Sequence, residues 1–112
     1  MTELSTNEII QHIKEIDSNI NSAKEDTHIR VEFLKHRKFY AEYAQNVLCL
    51  ILNYSLPGVH HIDRDDVKSR LDACKDWIHE LDSSITLKIN ECDEAVSEMI
   101  LEKQKWIDLL RY

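Results

Sequence analysis

The chain has 112 residues, 43% of them hydrophobic and 31% charged, with a net charge of −7. This length allows one domain, numbered 1–112, and the balance is too apolar for a disordered chain and too charged for a membrane protein. The acidic balance argues against nucleic-acid partners, which need a basic footprint. The one basic cluster, Lys35-His36-Arg37-Lys38, spreads around a helix rather than converging and reads as solvated surface.

The single glycine, Gly58, adjoins the single proline, Pro57. A chain with one breaker pair and abundant helix formers has one obvious reversal point. The predicted fold is all-α: a long antiparallel two-helix hairpin, coiled-coil-like, with a helix over about 5–54, a turn over about 55–62 and a helix over about 63–111. The alternative is a compact four-helix bundle, with further breaks at Lys24–His28 and Asp82–Ser84.

The first helix opens on Ser5, which can cap the backbone, with Glu8 three residues on completing a capping box. Apolar residues then fall at Ile9, Ile13, Ile16, Ile20 and Ala23, alternating steps of four and three on one helical face. Continuing that count without a slip gives Thr27, Arg30, Leu34, Arg37, Ala41, Ala44, Leu48 and Ile51. Arg30 and Arg37 are odd at inward positions, because a buried arginine requires a partner. Glu80 could supply one for Arg37; the alternatives are that these arginines set register or receive an acidic partner, or that they snorkel to solvent along the helix surface.

At the reversal, His60-His61-Ile62-Asp63 brings two imidazoles near carboxylates. Adjacent side chains rarely converge on one ion and no third ligand stands at helical spacing, so this reads as a structural loop with no metal or other cofactor. Asp63 and Asp66 supply the start signal of the second helix.

The second helix carries Val67, Leu71, Cys74, Ile78, Leu81 and Ile85 on one stripe, then drifts through Ile89, Cys92, Val96 and Met99 towards Leu110. With the turn centred near residue 58, antiparallel pairing puts residues whose numbers sum to about 117 opposite each other. That places Arg37 across from Glu80 and Tyr40 across from Trp77. Cys49, Cys74 and Cys92 read as small core residues. They match no zinc or redox spacing, and Met1-Thr2-Glu3-Leu4 lacks the features of a signal peptide. A reducing cytoplasm is the expected compartment. The longest apolar run is far shorter than the roughly 20 residues needed to span a bilayer, so no membrane association is expected.

The first helix has more apolar surface than a hairpin uses. A second row runs Phe33, Tyr40, Tyr43, Val47, Leu50, Tyr54, and it merges with the first row in Val47-Leu48-Cys49-Leu50-Ile51-Leu52. A helix apolar all round is buried on more than one side, and tyrosine suits interfaces because its ring buries area while its hydroxyl tolerates water. A protein partner, in a homodimer or a hetero-complex, is the expected cover. Residues 99–110 offer a weaker excess of the same kind. There is no phosphate loop, no nucleophilic triad and no justified carboxylate pair, so no enzyme is expected. The leading function is a non-catalytic structural or interaction protein. The alternative is a small binding inhibitor, immunity protein or secretion chaperone that masks one protein target.

Overall fold

The computed structural model describes residues 4–54 and 63–111. The predicted reversal, with Pro57, Gly58, His60 and His61, lies outside the described residues. Two helices account for nearly everything else: α1, Thr6–Asn53, and α2, Arg64–Leu110. Both Lys24–His28 and Asp82–Ser84 are helical throughout, so the four-helix alternative fails at the two places where it needed a break. Neither stretch contains glycine or proline, and local polar residues alone do not interrupt a helix whose neighbours on both sides are packed.

Each helix starts where its cap residue dictates. The Ser5 hydroxyl oxygen accepts a hydrogen bond from the Glu8 amide at 3.2 Å. The Asp63 carboxylate accepts from the amides of Asp65, at 3.0 Å, and Asp66, at 3.3 Å. Both satisfy amides that have no intrahelical partner. Asp65 and Asp66 add negative charge in the first turn of α2, where the helix dipole favours it. The last turn of α1 has no basic residue of its own. Arg64 fills that role: its guanidinium donates to the Leu52 carbonyl at 2.9 Å.

The chain packs as two compact units, Met1–Arg30 with Lys88–Tyr112, and Val31–Leu87. The first is built around Ile16, Ile20 and Val96, with Ala23, Cys92, Met99 and Trp106 packed against them. His12 stacks on Trp106 with centroids 4.3 Å apart, Lys103 meets Asp17 at 2.7 Å, and the Cys92 thiol donates to the Ala23 carbonyl at 3.8 Å. As numbering rises along α1 it falls along α2, so the unit is an antiparallel pair. The second unit buries Val31, Ala41, Val67, Leu71 and Leu81. Lys38 to Asp82, at 2.7 Å, and Arg64 to Leu52 show that it too is antiparallel. All these contacts fall near the predicted pairing sum of about 117.

The seam departs from the expected count in both helices. In α1 the inward positions run Ile16, Ile20, Ala23, Thr27, and then Val31 rather than Arg30, followed by Leu34, Lys38 and Ala41. Arg30 and Arg37 are exposed. In α2 Lys88 replaces Ile89, which is exposed, before Cys92 and Val96. Each helix therefore contains two successive steps of four, a stutter in the heptad that relaxes the local supercoil. The physical gain is plain: the extra residue turns two guanidiniums out to water, where an unpaired charge costs little, and turns a valine in.

Candidate protein interface

The second unit carries the predicted interface. With Val31, Leu34, Lys38, Ala41 and Leu48 as the a and d positions of a heptad facing α2, Phe33, Tyr40, Val47 and Tyr54 take position c. Tyr43 and Leu50 take position f. Positions c and f lie on the opposite side of a helix from a and d. The row therefore lies outside the seam, and all six side chains are exposed, from 37% at Val47 to 67% at Tyr40. Phe39 beside them is also exposed and sets its ring edge-on to Tyr40, with centroids 5.9 Å apart.

Two corrections follow from the one-residue shift of the seam. Arg37 does not face Glu80; its guanidinium lies over the Phe33 ring, 4.7 Å from the centroid, a cation–π contact that caps one end of the row. The cation that reaches α2 is Lys38, held by Asp82 at 2.7 Å and Glu42 at 3.6 Å. The hydrogen bond to Asp82 is the main reason its ammonium pKa is raised above the ordinary lysine value. Tyr40 and Trp77, expected opposite each other, are both exposed.

The charge around the row is uneven. The residues that border its C-terminal half, Ala44, Asn46, Ile51 and Asn53, are all uncharged. In contrast, the side of α2 turned away from α1 within this unit is mostly polar, with Asp66, Asp72, Asp76, His79, Glu80 and Ser83 exposed and Leu87 as an exposed apolar residue among them. Water covers its polar residues at no cost. An open, mostly apolar groove of about 500 Å³ runs beside the row, lined by Tyr43, Ala44 and Val47 from α1 and by Arg70, Ala73 and Cys74 from α2. It exists because two alanines stand where larger side chains would fill the space between the helices.

The first unit has a smaller, polar hollow of about 250 Å³ at the stutter, lined by Asp26, Thr27, Arg30, Lys88, Glu91 and Cys92. Acids and bases balance there, and Lys88 meets Glu91 at 3.7 Å. Of the apolar excess predicted at residues 99–110, Met99 and Trp106 pack on the core, while Ile100, Leu101, Leu109 and Leu110 are exposed.

Cys49, Cys74 and Cys92 are free and half-buried. Among the described residues no group of three or more His, Cys, Asp or Glu is placed to hold a metal ion. His60 and His61 lie outside them. No helix among the described residues is long and apolar enough to cross a membrane. No protein-family model, no curated protein and no solved structure matches this chain.

Proposed function

We propose that this chain is a non-catalytic interaction protein, a helical hairpin whose row Phe33, Tyr40, Tyr43, Val47, Leu50, Tyr54 is covered by another protein chain. The observation that carries the reading is the exposure of all six side chains on one face of α1, with the intramolecular seam on the opposite face. A contiguous apolar strip of that kind marks an interaction surface. Its composition, aromatic and poor in charge, is that of an interface core. A reducing compartment such as the cytoplasm belongs to the same reading, because the three cysteines are odd in number and match no zinc or redox spacing.

The test separates the two faces of one helix. Burying a leucine in the covered row contributes about 1.5–3 kcal/mol, and a carboxylate in its place is costlier because it is desolvated without a partner. Leu50→Glu should release the partner chain while the helical circular dichroism remains. Leu48→Glu, whose side chain is half-buried towards α2, should unfold the second unit itself. Equal unfolding by both variants would show that the row is internal core, and the reading would fail.

A further inference from the structure

We infer that the partner covering this row is a second copy of the same chain, with α1 packed antiparallel on α1 of the other copy about a two-fold axis beside Gln45. The inference rests on the interaction reading above and names its partner. Three features of the face lead to it.

The first is the alternation of size along the row. In antiparallel packing a c position of one helix meets an f position of the other, and the register in which residue numbers sum to about 90 keeps that rule along the seam. Tyr40 then meets Leu50 of the second copy, Tyr43 meets Val47, and the two-fold repeats both layers. Tyr54 meets His36. Every central layer holds one large ring and one aliphatic side chain, so the layers have similar thickness and close-pack. Parallel packing would instead set Tyr43 on Tyr43 and Val47 on Val47, alternating swollen and empty layers. The groove lined by Ala44 and Ala73 then lies where the Tyr43 ring of the second copy enters.

The second is charge. A chain with a net charge of −7 repels its own copy. In this register the bordering contacts are Asn46 with Asn46, Ala44 with Ala44, Phe39 with Asn53 and Arg37 with Ile51. No like-charged pair is opposed, although acidic residues occupy much of the remaining surface. The acidic side of α2 faces outward in both copies. Arg37, already folded over Phe33, marks where the seam ends.

The third is area. The exposed row, with Phe39 and the bordering asparagines, presents on the order of 700–800 Å² per copy, which is what each partner contributes to a standard stable interface.

Light scattering on the unaltered protein is the first arm, and it should give twice the chain mass, falling to the single mass in Leu50→Glu. The second arm uses a background in which Cys49, Cys74 and Cys92 are alanine, checked for helical content. In it, Asn46→Cys should oxidise to a covalent dimer and Tyr54→Cys should not. Ready cross-linking through Tyr54→Cys without cross-linking through Asn46→Cys would overturn the antiparallel arrangement. A wild type that is monomeric alone, and forms a one-to-one complex with a different protein that Leu50→Glu abolishes, would overturn the second copy and leave the interaction reading standing. Unfolding by Leu50→Glu as thorough as by Leu48→Glu would overturn both.

Discussion

The Lys38 ammonium lies 2.7 Å from the Asp82 carboxylate, and this pair, not an Arg37–Glu80 pair, is the ion pair that joins α1 to α2 among the described residues of the second unit. Lysine suits the position because its stem can lie along the seam while the charged head remains in water; the side chain is 31% exposed. The neighbouring arginine is then free to cover Phe33.

Lys38 makes stability depend on alkaline pH. Its folded-state pKa is raised, chiefly by the hydrogen bond to Asp82. A raised pKa contributes stability that is fully present below the ordinary lysine value and is lost as pH rises through the folded-state value. Melting temperatures of wild type and Asp82→Asn should therefore differ by a small, salt-sensitive amount at neutral pH and converge above the lysine range. A difference that persists unchanged at high pH would show that Asp82 acts by packing alone.

The first unit should be sensitive to a single deletion of volume. Ile20 is 8% exposed and packs with Ile16 and Val96. Ile20→Ala should cost about 2–4 kcal/mol in urea unfolding, from lost burial and the cavity left behind. Ile29→Ala, at a site 59% exposed, should change stability by less than about 0.5 kcal/mol. Similar costs for the two would mean that Ile29 is covered in solution.

The start of α2 depends on Asp63. Its carboxylate serves two amides, so Asp63→Ala should lower stability by about 1 kcal/mol, and Asp63→Ser should recover most of that. Denaturant titrations of the three proteins check it. Equal stability of alanine and wild type would mean that another group caps the helix.

Helix limits, caps, antiparallel pairing and the existence of a second apolar row were all legible in the sequence, because each rests on short-range spacing. Ser5–Glu8 and Asp63 are local hydrogen-bond patterns. The row from Tyr40 to Tyr54 is a local periodicity. The stutters were not legible from counting alone. A strict alternation of three and four passes through Arg30 in α1, and in α2 through Lys88 and Cys92 to Ala95 rather than Val96; in α1 only the cost of burying Arg30 and Arg37 argues for moving to Val31 and Lys38. That cost was visible in the sequence; accepting an eleven-residue step would have placed Val31 inward. The Arg37–Phe33 contact was hidden for the same reason, since it requires Arg37 on the outside. The proposed cover of the row rests on complementarity between two surfaces, which helical periodicity alone does not report.

The bond from Arg64 to the Leu52 carbonyl has a bearing on how the second unit finds its alignment. It joins the opening residue of one helix to the closing turn of the other, so the correct offset between them is marked by a charged clasp on ordered backbone.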